Sequence, residues 1–200
     1  FLIFLNLKEI NHSDRKNILT WYKNVIHIKK VNRRMNIGII GLGSMGLNLA
    51  KNIISKKYKV YAYEENPEVN NNLKKNKVKD LFLTESLNEL LNKVISPRII
   101  MLSLPADKVD EVINELTNFL EPEDIVADLG NSLYLKSIER DTLLNSHKIN
   151  FLGVGVSGGP RGAKNGPALM VGGSKEAWNK TKHIFEDIAA KNHKQSACCF

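Results

Sequence analysis

From residue 37 onward, short apolar runs alternate with longer stretches in which apolar positions recur every three or four residues. The first run, 37–40, is followed by a segment, 44–55, with Met45, Leu49, Ile53 and Ile54 spaced for one helical face. A second strand is expected at 59–63, and Pro67 then opens a helix over 67–75. A short strand at 81–83 precedes a helix at 87–94, with Ser86 and Glu89 at capping-box spacing. The run Ile99-Ile-Met-Leu102 marks a buried strand over 98–104, ended by Pro105. Val109, Val112, Ile113, Leu116 and Leu120 lie on one side of an amphipathic helix over 107–120. A strand at 125–128, a helix at 133–144 and a strand at 149–154 follow, then a glycine-rich loop at 157–166, a strand at 168–171 and a helix at 175–191. Strands alternating with helices in this way predict an α/β chain with a doubly wound, mostly parallel sheet. Residues 35–200 form this domain, and residues 1–34 read as a separate leader.

The first strand runs directly into Gly41-Leu42-Gly43-Ser44-Met45-Gly46, and a helix follows at once. The pattern Gly-x-Gly-x-x-Gly by itself also ends ordinary strands; between a strand and a helix it indicates a Rossmann-like dinucleotide site. Gly41 permits the tight turn, Gly43 lets a pyrophosphate approach the backbone, and Gly46 lets the helix pack close to the strand. The helix N-terminus offers N–H groups to the phosphates. Glu64 ends the second strand 18 residues past Gly46, where a carboxylate accepts hydrogen bonds from ribose hydroxyls and repels a 2′-phosphate. Glu65 adds to that repulsion, whereas Lys56 and Lys57 are near enough in sequence to offset it, and a solvated acidic pair is the alternative reading. NAD is therefore expected in preference to NADP.

Composition changes the picture in one respect. The net charge is +8, but residues 1–34 hold eight Lys or Arg against Glu9 and Asp14, and the rest of the chain holds 21 basic against 19 acidic side chains. The basicity belongs to the leader, so nucleic-acid binding by the domain is not expected. The leader begins at Phe1, is rich in Lys and Asn, and has few of the Arg and Ser residues of a transit peptide. Upstream sequence or a disordered tail is expected there, with organelle targeting as the alternative. No apolar run approaches the ~20 residues of a bilayer span. Two cysteines, adjacent at 198 and 199, with neither CxxC nor His/Cys ligand spacing, point away from a metal site and towards a reducing compartment, the cytoplasm.

Three further strands end in small or polar residues: Leu104-Pro105-Ala106, Gly130-Asn131-Ser132, and Ser157-Gly158-Gly159 after Val156. Each alone reads as an ordinary turn. Together they follow the carboxyl ends of strands in one sheet, where open α/β sheets bind ligands. Asn131 both donates and accepts, as holding a hydroxyl beside a cofactor requires. Ser157 and the N–H groups of Gly158 and Gly159 suit a carboxylate or hydroxyl.

With these residues in view, residues 35–199 resemble the N-terminal domain of the decarboxylating 6-phosphogluconate dehydrogenases. The stretches that carry the resemblance are Gly41–Gly46, Asp128-Leu-Gly-Asn-Ser132, Gly153-Val-Gly-Val-Ser-Gly-Gly159, Gly172-Gly-Ser-Lys-Glu-Ala-Trp178 and Ile184-Phe-Glu-Asp-Ile-Ala-Ala190. The wider β-hydroxyacid dehydrogenases, such as 3-hydroxyisobutyrate dehydrogenase, are also similar, through Pro160 and Met170-Val-Gly-Gly173. The resemblance implies oxidation of 6-phosphogluconate at C3 with reduction of NAD(P), then loss of CO2 to ribulose 5-phosphate in the pentose phosphate route, by a homodimer. It implies that residues 41–46 hold the pyrophosphate and that Leu104, Pro105 and Ala106 line the nicotinamide side. Asn131 would touch cofactor and substrate, and Ser157, Gly158 and Gly159 would hold the sugar acid.

The sequence departs from that pattern in three places. Glu64-Glu65-Asn66 stands where the common NADP-dependent members have Asn-Arg-Thr, so the arginine that would grip a 2′-phosphate is missing. Pro160-Arg161 stands where the family has Glu-Glu. The family's lysine base and glutamate acid lie on a helix beyond residue 200, with the all-helical domain. No catalytic residue is therefore assigned; Lys191 and Lys194 do not match that helix. The 200-residue chain is expected to show little turnover alone; the alternatives are another β-hydroxyacid dehydrogenase, acting on a 3-hydroxyisobutyrate-like substrate, and a chain that binds NAD without catalysis or has no function. The final helix is expected to expose apolar surface.

Overall fold

The computed structural model describes residues 36–193 and 195–200, so the expectations for the leader lie outside the described residues. Ten strands and seven helices are present among them. The strands are β1 (Asn36–Ile40), β2 (Lys59–Tyr63), β3 (Leu81–Thr84), β4 (Ile99–Leu102), β5 (Ile125–Asp128), β6 (Asn150–Ser157), β7 (Ala168–Gly173), β8 (Lys191–Asn192), β9 (Gln195–Ser196) and β10 (Cys198–Cys199). The helices are α1 (Ser44–Ser55), α2 (Pro67–Lys75), α3 (Leu87–Lys93), α4 (Val109–Leu116), α5 (Tyr134–Ser146), α6 (Gly159–Asn165) and α7 (Lys175–Ile188).

Eight strands form one sheet in the order β10-β7-β6-β5-β4-β1-β2-β3. Strands β1 to β6 are parallel throughout, and β7 joins β6 antiparallel. The chain winds outward from β1 through β2 to β3, then returns to β4 on the other side of β1. The strand order therefore reverses between β1 and β4, and a crevice opens at their carboxyl ends. This is the α/β Rossmann-like fold expected from the alternation.

Parallel strands are covered on both faces, so their sequences are apolar at every position rather than at alternate ones. All four residues of β4 and of β5 are buried. On one face Leu87, Leu90 and Leu91 of α3, Val109, Ile113 and Leu116 of α4, and Leu144 of α5 close over Ile40, Ile100, Leu102, Val126 and Phe151. Side chains alternate along a strand, which sends Ile37 and Ile39 to the opposite face, where α1 packs against α6 and α7. Buried Asn52 ties these helices together, donating to the carbonyls of Ala163 (3.0 Å) and Ile188 (2.8 Å).

Several boundaries differ from the sequence expectation. β4 stops at Leu102 because its neighbour β1 turns away at Gly41 and pairing ends. α4 is shorter than 107–120: Thr117 Oγ1 and the Asn118 amide donate to the carbonyls of Asn114 and Glu115 and draw the last turn out of helix. β6 runs on to Ser157 because β7 pairs with it as far as Ser157↔Ala168. The stretch expected as a loop over 157–166 contains α6, opened by Pro160 in its first turn. α7 ends at Ile188, and a two-residue strand β10 adds to β7 beyond it. Exposed apolar side chains cluster on α5 and its cap (Leu133, Tyr134, Leu135, Ile138, Leu143), with others scattered at Phe82, Ile95, Phe119, Met170 and Phe200; α7 buries Trp178, Ile184, Phe185 and Ile188.

Candidate functional site

Gly41 turns the chain out of β1 with φ +90° and donates its N–H to the Tyr63 carbonyl at 3.0 Å. A Cβ there would lie 2.5 Å from the Ser103 carbonyl oxygen, so the loops after β1 and β4 touch. At Gly46 a Cβ would lie 2.0 Å from the Gly41 carbonyl oxygen, which only glycine tolerates. Gly43 is different: a Cβ there would meet nothing within 4 Å. The chain leaves that space open above the start of α1, whose N-terminus, like those of α4, α5 and α6, carries no side-chain cap. The first N–H groups of a helix lack intrahelical partners and carry partial positive charge, which suits a phosphate.

Two joined depressions lie along the crevice. The larger, about 890 Å³, is lined by Gly41, Glu64, Glu65, Asn66, Leu104 and Pro105 among others. The smaller, about 290 Å³, is lined by Gly43, Ser44, Met45, Gly46, Leu104, Pro105 and Asn131, with Ser103, Leu129 and Gly130. Leu104 and Pro105 belong to both. Thus eleven of the thirteen residues expected to bind the cofactor line this crevice. Leu42 does not: its side chain is buried. Ala106 is exposed beyond the rim, with its carbonyl turned to Arg140. Ser157, Gly158 and Gly159 are also exposed and line neither depression. Asn131 reaches towards them: its Oδ1 accepts from the Val156 N–H (2.8 Å) and its Nδ2 donates to the Val156 carbonyl (3.3 Å). That leaves one amide hydrogen and one lone pair of Asn131 for a ligand.

Glu64 stands at the end of β2, and both of its carboxylate oxygens are engaged. Oε2 accepts from the Leu42 N–H at 2.6 Å and Oε1 from the Asn66 N–H at 2.8 Å. The carboxylate thus holds the glycine turn to the start of α2 as well as facing the crevice. The Asn66 side chain caps α2 by accepting from the Glu68 N–H at 2.9 Å. Lys56 and Lys57 do not line the crevice; the cation that does is Lys108, paired with Glu111 at 3.1 Å. Glu68, Glu111 and Glu115 add to Glu64 and Glu65 on the walls. Burial, then the charges of Glu65, Glu115 and Glu64, push the Tyr63 phenol above its ordinary value. The helix acids and Lys108 escaped sequence reasoning because they read as the solvated face of an amphipathic helix.

A buried network also escaped it. The Arg140 side chain is 3% exposed; Nη1 meets Asp128 Oδ2 (2.7 Å) and Ser132 Oγ (2.6 Å), Nε meets Asp110 Oδ1 (2.6 Å), and Nη2 donates to the Ala106 carbonyl (3.3 Å). Asp128 Oδ1 accepts from the Gly130 N–H at 2.9 Å. An arginine mid-helix ordinarily reads as part of a solvated face, so nothing in the sequence signals its burial, although Leu144 one turn on is buried too. A further hollow of about 520 Å³ lies between α5 and β6–β7, lined by Asp128, Ser132, Tyr134, Ile138, Asp141 and Phe151 among others, and it shares Asn131 with the smaller depression.

The comparisons with known proteins bear on what this crevice is. The family model described as the NAD binding domain of 6-phosphogluconate dehydrogenase matches residues 36–200. The chain belongs to that family. Curated relatives include the decarboxylating 6-phosphogluconate dehydrogenases of Chlamydia pneumoniae, 43% identical over 166 residues, and Buchnera aphidicola subsp. Acyrthosiphon pisum, 40% identical over 160 residues. These alignments cover 82% and 79% of this chain but 35% and 34% of the relatives, so the chain spans about a third of their length. A solved Plasmodium falciparum 6-phosphogluconate dehydrogenase, determined in apo form and with NADP+ and with 6-phosphogluconate, superposes with TM-score 0.78 at 34% identity. It covers 82% of this chain and 36% of its own. A Mycobacterium tuberculosis 3-hydroxyisobutyrate dehydrogenase shares the fold, with TM-score 0.69 at 21% identity, 82% of this chain and 56% of its own. The family is one of oxidoreductases with a Rossmann NAD(P)-binding domain, and among the described residues no helix is long and apolar enough to cross a membrane.

Proposed function

We propose that this chain is the cofactor-binding part of an enzyme that oxidises and decarboxylates 6-phosphogluconate to ribulose 5-phosphate, with NAD preferred to NADP. The observation that carries the reading is the meeting of three loops at one end of the crevice. Leu104 and Pro105, the Gly130–Ser132 turn, and the end of β6 are joined there through Asn131 and Val156. The open space at Gly43 and the uncapped start of α1 fit a pyrophosphate, and Glu64 fits a ribose.

In this reading NAD, when bound, supplies the acceptor for the hydride that leaves C3 of the sugar acid. The residues of this chain bind and orient. Gly43 to Gly46 hold phosphate oxygens, while Leu104 and Pro105 exclude water from one side of the nicotinamide. The free amide hydrogen and lone pair of Asn131 orient the substrate hydroxyl beside it, and Ser157 with the N–H groups of Gly158 and Gly159 holds the sugar acid. The family's base and acid would come from the part of the relatives that this chain does not span. The acidic walls of the larger depression support the preference for NAD, since a 2′-phosphate would meet several carboxylates and one lysine already paired.

The test is turnover by a polypeptide in which residues 36–200 replace the corresponding third of the Chlamydia pneumoniae relative. NADH and CO2 formed from 6-phosphogluconate, with 3-hydroxyisobutyrate inert, is the expected result. Turnover of 3-hydroxyisobutyrate instead, or faster reduction of NADP than of NAD, would overturn the corresponding half of the proposal.

A further inference from the structure

Arg140 occupies a position that its place on α5 does not explain. Its guanidinium lies behind the crevice, not in it, and nearly all of its donors are committed to groups from three other segments. Asp110 belongs to α4, Ala106 to the loop between β4 and α4, and Asp128 and Ser132 bracket the turn between β5 and α5. These two loops are the ones that supply Pro105 and Asn131 to the smaller depression. They also press on each other, since a Cβ on Gly130 would lie 2.7 Å from the Leu104 carbonyl oxygen. Asn131 itself sits at φ +55°, in the left-handed region that asparagine adopts more readily than other non-glycine residues.

We propose that Arg140 is a positioning residue for the nicotinamide end of the crevice, setting the Pro105–Ala106 loop and the Asn131 turn in register through one buried guanidinium. The proposal rests on the reading that a dinucleotide lies along this crevice. The planar fork fixes the directions of its donors, so the Ala106 carbonyl and the Asp128–Ser132 turn cannot shift independently. Asp128, 1% exposed at its side chain, directs its other oxygen to Gly130 and passes that constraint to the residue before Asn131. The adenosine end is held by different contacts, Glu64 to Leu42 and Asn66, with no member in common. The two ends are therefore separable by mutation.

The experiment titrates the 200-residue chain with NADH, followed by the fluorescence of the reduced nicotinamide, and with ADP-ribose, which lacks the nicotinamide. In Arg140→Met, NADH is expected to bind roughly tenfold more weakly, because the two loops that face the nicotinamide lose their common anchor, and its fluorescence enhancement to fall. ADP-ribose should bind within about twofold of the native chain, and Arg140→Lys should recover part of the enhancement. Equal losses for both ligands would make Arg140 a general structural residue, and no change in either would show that the loops hold their register without it; both overturn the proposal. Should Arg140→Met fail to fold by circular dichroism, Ser132→Ala, which removes one leg of the network, decides. A reduced nicotinamide signal with ADP-ribose unaffected supports the proposal, and an unchanged signal or an equal change in both overturns it. A native chain that binds neither ligand overturns the nucleotide reading and this proposal with it.

Discussion

Glu64→Gln separates the two things that the Glu64 carboxylate does. The variant keeps the length of the side chain and one carbonyl oxygen, which can still accept from Leu42 or Asn66, while the charge is removed. Two unit charges ~4 Å apart interact by about 1 kcal/mol in water and about 4 kcal/mol at the effective dielectric of a protein surface. Glu64 is half-buried in the crevice wall, between those limits, and a phosphate monoester carries ~1.5 to ~2 negative charges near neutral pH. The repulsion of a 2′-phosphate by this one residue is then at least about 1.5 kcal/mol, or roughly tenfold in relative affinity. NAD, which has hydroxyls at that position, should change by no more than about threefold, since a neutral amide still offers one hydrogen-bonding oxygen. Calorimetric titration of both cofactors into the native chain and the variant measures the ratio directly. The gap should shrink as salt is raised, because partly exposed charges are screened. Equal weakening of NAD and NADP would mean that Glu64 acts only by holding Leu42 and Asn66, and the electrostatic reasoning would fail. Tighter NADP than NAD in the native chain would refute it outright.

The glycines divide by what surrounds them. Gly46→Ala should unfold the chain or lower its melting temperature sharply, because its Cβ would sit 2.0 Å from a backbone oxygen, whereas Gly43→Ala should melt like the native chain yet bind NAD at least tenfold more weakly, roughly 1.4 kcal/mol. Equal melting temperatures for the two variants would contradict this. Asn52→Leu leaves the carbonyls of Ala163 and Ile188 buried without their donor, at a cost of about 1–3 kcal/mol each; urea unfolding should show a midpoint lowered accordingly. His183 on α7, half-buried near Tyr58, is held below its ordinary value by burial, with Asp187 and Glu186 opposing. The unfolded chain therefore takes up this proton first as pH falls, so stability is full above about 6.5 and declines below it towards the folded value. His183→Gln should flatten the dependence of melting temperature on pH in that window.

The sequence by itself determined the order of strands and helices, the winding of the sheet and the position of the glycine turn. The reason is local. Strands buried on both faces are apolar at every position, helices repeat every three to four residues, and a turn with positive φ or a backbone in contact needs glycine whatever lies around it. The end of β6 and the interior of the 157–166 stretch were not legible in the same way. β6 is long because β7 returns to pair with it, and α6 forms because Pro160 starts a turn where glycines suggested a loop. Tertiary structure alone decided that Glu64 spends its carboxylate on Leu42 and Asn66, and that Lys108, rather than Lys56 or Lys57, enters the crevice. It alone decided that Arg140 is buried against Asp128. These outcomes depend on which segments meet, and the contact of a charged side chain with a distant loop leaves no periodicity in the chain. Hydrophobic burial repeats along the sequence and can be read from it; the pairing of single polar groups across loops does not repeat, and only the folded chain shows it.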